Sequence, residues 1–381
     1  MIQERELIIN HLPMKTWYWL KINDKNAKIA VKNEDFPAEV LTKGGIAASE
    51  DESFAETLSG IETGMGKEFE AYIESQLYLP DLFVAEEGKD AELSIRFDYD
   101  RQSAGVAGND ADAADDAAVP AKGQALNLYH VVAKKGSNLT IYTDHLSRNE
   151  GTAVVDFRIL VEAGAKVKLV QSHRFSEDFR FFSNVGVKVE EEGSFELVTV
   201  AFSGKEMNLA LCTDLSGDRS RARYDIGYVS GNASDIDQNY LIRYRGKDTE
   251  GEIFSNGVLK GTTVKRFRGT IDFIRGCVGA KGAEKEDVLL LDDRAVNKTA
   301  PLILCGEEDV EGEHGATIGK LADEVLFYLR ARGVSEEDAY SLIANGRMNS
   351  VIERIPETDL TDLKKELKRE VFGVDEIETE A

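Results

Sequence analysis

From about Ala125 to Cys277 the chain alternates at every second residue, as in Leu126, Leu128, His130 and Val132, then Leu139, Ile141 and Thr143, then Val155, Phe157, Ile159 and Val161. A period of two belongs to β-strands, whose successive side chains point to opposite faces. A longer period is laid over the short one. Glycine followed by a small or polar residue returns at Gly136-Ser137, Gly164-Ala165, Gly193-Ser194 and Gly217-Asp218, at spacings of 28, 29 and 24 residues. Strands and turns recurring every 20 to 30 residues or so predict a β-solenoid, where each coil buries its inward side chains on its neighbour. A β-sandwich is the competing architecture, but strands within one repeat, such as Phe157-Ile159 and Val167-Leu169, are not joined by the Asn-Gly or Asp-Gly turns of tight hairpins. Coils stacked about 4.8 Å apart would then make roughly seven or eight turns, a rod about 35 to 40 Å long with two open ends.

The flanks differ in kind. Lys67 to Gln76 places Phe69, Tyr72 and Ile73 at helical spacing, inside a partly helical N-terminal region, 1–80. Within it, Trp17-Tyr18-Trp19-Leu20 reads as an aromatic anchor onto the rod. The β-helix core is expected over 81–313, interrupted by a mobile insertion at about 104–124, where alanine and aspartate leave little to bury. A C-terminal helical module, 314–381, follows. Leu321, Val325, Leu326 and Leu329 form one apolar stripe ended by Gly333. Ser335-Glu336-Glu337-Asp338 opens a second helix, expected to stop near Gly346, and Leu360, Leu363, Leu367, Val371 and Phe372 mark a third. Three helices in some 60 residues suit a cap or a docking module.

The 381 residues carry 46 Lys and Arg against 70 Asp and Glu, a net charge of -24, which opposes binding to nucleic acid or an anionic membrane. The basic run Lys265-Arg266-Phe267-Arg268 sits in strand-like sequence and reads as a solvated strand face. No apolar run is long enough to span a bilayer and the charged N-terminus has no export pattern, so a cytoplasmic location is expected. The three cysteines, Cys212, Cys277 and Cys305, fit a reducing compartment. Phosphate loops, GxSxG elbows, HExxH and GxGxxG fingerprints are all missing, which argues against a stand-alone NTPase, α/β-hydrolase or metalloprotease. A β-helix polysaccharide lyase or hydrolase is the enzymatic alternative, and it would need an export signal and carboxylates arrayed along the rod.

One segment holds an unusual concentration of donors. Between Cys305 and Thr317, five carboxylates and His314 fall within the eight residues from Glu307 to His314, at the junction of a hydrophobic strand and the C-terminal helices. Glu311, Glu313 and His314 offer hard oxygen and borderline nitrogen donors suited to iron, manganese or zinc, and Cys305 adds a soft sulfur. The plainer reading is a solvated acidic turn with His314 bonded to backbone. The remaining histidines are scattered, and His130 and His173 fall in strands, where a satisfied structural role is expected.

The block from Leu289-Leu290-Leu291 to Pro301, with Glu308-Asp309-Val310, Glu313-His314-Gly315-Ala316-Thr317-Ile318-Gly319, Leu326-Phe327-Tyr328-Leu329 and Arg332-Gly333-Val334, closely resembles the C-terminal signature of the SufB/SufD family of iron-sulfur cluster assembly proteins. Leu12-Pro13-Met14-Lys15-Thr16-Trp17 and Phe267-Arg268-Gly269 extend the similarity upstream. The resemblance implies a mainly β fold, a right-handed parallel β-helix flanked by helical regions and dimerising at the C-terminal end of the rod. It also implies C-terminal helices that dock the ABC-type ATPase SufC, through residues such as Leu326, Phe327, Tyr328, Leu329 and Arg332. The chain would be a non-catalytic scaffold holding iron or an iron-sulfur cluster transiently. Ala295, in Asp293-Arg294-Ala295-Val296, stands where SufB carries the cysteine thought to hold the nascent cluster, and Gly315 follows the histidine as in SufD. The resemblance is therefore closest to SufD, paired with a SufB-like subunit or with itself. His314 is then the expected ligand to iron or cluster at the dimer interface, with Glu311, Glu313 and Cys305 as further donors. A purely structural SufC-binding subunit is the alternative.

Overall fold

The computed structural model describes residues 5–16, 18–29, 36–76, 79–100 and 123–372. Its centre is a two-faced parallel β-solenoid. Strands alternate between two sheets of nine strands each, so that every coil contributes one strand to each sheet. One sheet, here the first sheet, runs through Asn138–Ser147, Lys166–Phe175, Ser194–Ser203, Arg221–Val229, Glu250–Leu259 and Ala280–Leu290 to Val310–Gly319. The second runs through Gly151–Val161, Phe179–Val189, Glu206–Leu215, Asp235–Tyr244 and Val264–Phe273 to Val296–Cys305. Neighbours are parallel and in register: Asn138 pairs with Lys166, 28 residues on, and the coil lengthens to 32 where Val264 pairs with Val296. The solenoid expected from the repeat is the observed architecture.

The glycine repeat marks the corners. Gly136 and Gly164 both take φ of +66°, a left-handed conformation that costs glycine nothing. In the next two coils Glu192 and Arg219 hold that conformation, and Gly217 is required for room instead: a Cβ there would lie 2.0 Å from the Glu191 nitrogen.

Inward residues from both sheets, among them Phe97, Phe157, Leu169, Phe181, Leu197, Tyr224 and Phe267, form one continuous core. The outward faces are also covered. Phe69, Tyr72 and Ile73 of the helix Lys67–Glu74 pack on Leu126, Leu128, Val154, Phe182 and Ala210 of the second sheet. On the first sheet, Met348, Val351, Ile352, Leu363 and Leu367 of the C-terminal helices pack on Tyr142, Val170, Val198, Val200 and Val258. With both faces buried, central strands show long buried stretches instead of clean alternation, as in Gly151–Val161. The helices therefore clad the side of the rod. Arg174 fixes them there, donating to Asp144 and Glu366 at 2.7 Å each.

Several expectations are corrected. The solenoid does not stop at 313: Val310–Gly319 is its last strand, so His314 is a strand residue and the helical module begins at Asp323. The second C-terminal helix runs through Gly346 to Ile352, because Met348, Val351 and Ile352 extend its buried face beyond the glycine. Lys265 and Arg268 are fully buried, not solvated. Arg268 donates to Asp237 at 2.6 Å and to the Ile22 carbonyl at 2.6 Å, tying the N-terminal segment to the rod. Leu12 and Ile22, packed with Ala300, anchor that segment; Tyr18 and Trp19 are 88% and 72% exposed, and Trp17 lies outside the described residues. The proposed insertion also lies outside them, except that Gly123 and Gln124 open a strand.

Candidate functional site at the open end of the solenoid

The last coil leaves two strand edges bare. Val296–Cys305 ends one sheet and Val310–Gly319 the other, and no described strand pairs with their outer sides. Register decides which way the donors of the last strand point. Val310, Gly312, His314, Ala316 and Ile318 pair with Ala280, Gly282, Glu284, Glu286 and Val288, every one of them buried. Gly312 confirms the direction, since a Cβ on it would meet Ile303 at 3.1 Å and Phe273 at 3.2 Å inside the coil. His314 therefore belongs to the inward column, exposed because no further coil covers it. Glu311 and Glu313 belong to the outward column. Glu311 accepts from Lys281 at 3.0 Å on the outer surface, and the carboxylates expected beside His314 face away from it.

Beneath His314 the interior of the solenoid turns polar. Column by column, Leu169, Leu197, Tyr224 and Ile253 give way to Glu284 and then His314. In the next column, Gln171, Thr199, Ile226 and Ser255 lead to Glu286. Glu286 is satisfied: buried Lys265, across the lumen, donates to it, and Thr299 Oγ1 donates to it at 2.6 Å. Glu284 is only 3% exposed, and among the described residues neither of its carboxylate oxygens has a hydrogen-bond partner. Gly269, on the facing sheet, makes its space, because a Cβ there would lie 2.9 Å from the Glu284 side chain. Burial, reinforced by the Glu286 charge and opposed by Lys265, pushes the Glu284 carboxyl up to about 7. Burial also lowers the Lys265 ammonium to about 8, against the pull of Glu286.

Cys305, the last residue of its strand, is exposed and stacks in register over Phe273. It ends the second sheet, whereas His314 lies within the first. Ala295 immediately precedes Val296–Cys305 and packs against the edge of the core. Among the described residues no group of three or more His, Cys, Asp or Glu converges to hold a metal ion. His314 and Glu284 place one imidazole and one carboxylate on paired strands.

Neither Glu284 nor Lys265 was expected from sequence. Lys281-Gly282-Ala283-Glu284-Lys285-Glu286-Asp287 reads as a solvated run, and only its register against the preceding coil places two of the glutamates inside. His173 corrects an expectation too: it is fully buried with both ring nitrogens unpaired, stacked on His145 and Phe175 with Phe181 tilted against it, and burial lowers it to about 3. His145 meets the Tyr99 hydroxyl at 3.0 Å.

The second sequence-derived surface is the helix Asp323–Arg330, which buries none of its residues. Phe327 is 77% exposed, Tyr328 is exposed with the Arg332 guanidinium 4.2 Å above its ring, and Leu326 and Leu329 are half-buried. The helix thus leaves Phe327 and Tyr328 in solvent between charged ends, Asp323 and Glu324 at one and Arg330 at the other.

Comparison with known proteins identifies the lineage. Residues 116–347 match the family model described as the SUF system FeS cluster assembly SufBD core domain. The chain belongs to the SufBD family. It is 29% identical over 159 residues to an iron-sulfur cluster assembly SufBD family protein of Synechocystis sp., covering 42% of this chain and 33% of the relative. A family protein of Staphylococcus haemolyticus is 25% identical over 240 residues, 63% of this chain and 50% of the relative. One of Mycobacterium leprae is 22% identical over 222 residues, 58% and 25%. The matched stretch thus spans a quarter to a half of these relatives. Among the described residues no helix is long and apolar enough to cross a membrane.

Proposed function

We propose that this chain is a non-catalytic scaffold subunit of an iron-sulfur cluster assembly complex, resembling the SufD branch. It pairs through the open end of its solenoid with a SufB-like subunit or a second copy, and docks a SufC-like ABC-type ATPase on its C-terminal helices. The observation that carries the reading is the last strand, Val310–Gly319, which brings His314 to a bare sheet edge. A bare edge offers unpaired N–H and C=O groups to another chain, and His314 lies where that chain would arrive. A histidine at that edge suits a site completed by donors from the arriving chain, with iron or the nascent cluster as transient cargo. The exposed Phe327 and Tyr328 support the ATPase-docking half of the reading. With Ala295 in place of the thiolate, a partner supplies the sulfur donor.

His314→Ala in the assembled complex is expected to lower cluster yield at least tenfold, read by cluster absorbance and acid-labile sulfide, with assembly of the subunits unchanged. Unchanged yield would reject the ligand role and favour a purely structural, ATPase-binding subunit.

A further inference from the structure

We infer that Glu284 is the second donor of this chain to a divalent cation at His314, so that the chain's own share of the site comes from inside the solenoid and not from the neighbouring Glu311 and Glu313. The inference rests on the proposed ligand role of His314 and adds a residue to it. Glu284 and His314 are register partners on adjacent parallel strands, in the same inward column. Strands in a sheet lie about 4.8 Å apart, which sets their side chains one above the other. Both Glu284 oxygens are buried and unpartnered, and a buried carboxylate without a partner is costly unless it holds a proton or a cation.

The surroundings leave one direction for that cation. On the next inward position of the strand, Glu286 has already taken the Lys265 ammonium and the Thr299 hydroxyl. Toward the interior, the preceding coil presents Ile253. Across the lumen, Gly269 brings no side chain. On the side facing the open end, the register partner of Glu284 is His314. A carboxylate oxygen and an imidazole nitrogen suit divalent iron, manganese, cobalt or zinc. Glu311 already holds Lys281 on the outer face, and Glu313 lies on that same face, so neither reaches the column.

The test uses the full chain and Co2+ as the probe, followed anaerobically by isothermal titration and by the visible d–d absorption of the bound ion. Wild type is expected to take about one ion per chain. Glu284→Gln, which keeps shape and removes charge, should weaken binding at least tenfold and change the absorption envelope. Glu311→Gln with Glu313→Gln should alter affinity less than twofold. Should Glu284→Gln not fold, Glu284→Asp, which keeps the charge and withdraws it by one methylene, must also weaken binding severalfold. Wild-type affinity and spectrum in a folded Glu284 variant, with binding lost in His314→Ala, would overturn this inference and leave the His314 reading standing. Binding unaffected by either substitution, or no binding by wild type, would overturn this inference, while the His314 reading stands or falls on cluster yield in the assembled complex.

Discussion

The two ends of the solenoid solve the same problem in opposite ways. At the N-terminal end, Glu39–Gly44 and Ile46–Ser49 run antiparallel to Asp90–Asp98 and Asp81–Ala85, and Phe36 and Ala38 pack against the core beside them. The lumen there is aromatic: Phe97, Tyr99 and His145 stack on one another and Phe36 tilts against Tyr99, at centroid distances of 4.6 to 6.2 Å. At the C-terminal end the last two strands follow the parallel order of the coils before them and stop, and the lumen holds Lys265, Glu284, Glu286 and Thr299. Reversing the final strands breaks the parallel template that the next coil would extend. Leaving them parallel, over a polar interior, keeps an end that another chain can join. Both ends expose edge strands among the described residues, so what separates them is strand direction and the chemistry of the lumen.

Removing core volume breaks the contrast most directly. Phe157→Ala, in the closed half, is expected to cost about 3 to 5 kcal/mol in urea denaturation, because Phe157 is wholly buried. Ile303→Ala, in the last coil and only partly buried, should cost about 1 kcal/mol or less in the isolated chain. Equal losses would mean that the open end is already as well packed as the interior.

Acid probes the closed half next. His173 is held neutral, with its folded value near 3 below the unfolded value of 6.5, so the unfolded chain binds the extra proton between those pH values. Its contribution is complete above about pH 6.5 and is lost as pH falls toward 3, by up to about 1.4 kcal/mol per pH unit. His173→Leu should therefore flatten the stability profile between pH 6 and 4; parallel profiles for variant and wild type would reject the assignment. The smallest effect on folding belongs to the bare helix. Phe327→Asp should change stability by no more than about 0.5 kcal/mol, yet abolish co-purification with the proposed ATPase partner. A complex that survives it would remove that helix from the docking surface.

The solenoid itself was legible because its repeat is written in glycine spacing and strand period, both local properties. Phe69, Tyr72 and Ile73 were equally legible as the buried face of a helix, and Ser335 as a cap, which accepts from the Asp338 amide at 3.0 Å. His314 stood out by its chemistry. Its setting did not, because a glycine-flanked acidic segment reads as a turn until pairing with Ala280–Leu290 makes it a strand.

Sequence alone, then, determined a repeating β-architecture with helical flanks and a histidine without a close catalytic motif. Tertiary structure decided which side of each strand faces the lumen, and through it that Glu311 and Glu313 turn outward while Glu284, thirty residues before His314, lies beneath it. The physical reason is that strand register is fixed by stacking one coil on another. A shift of one residue would exchange the inward and outward sets, and that choice is made by contacts some thirty residues apart in the chain.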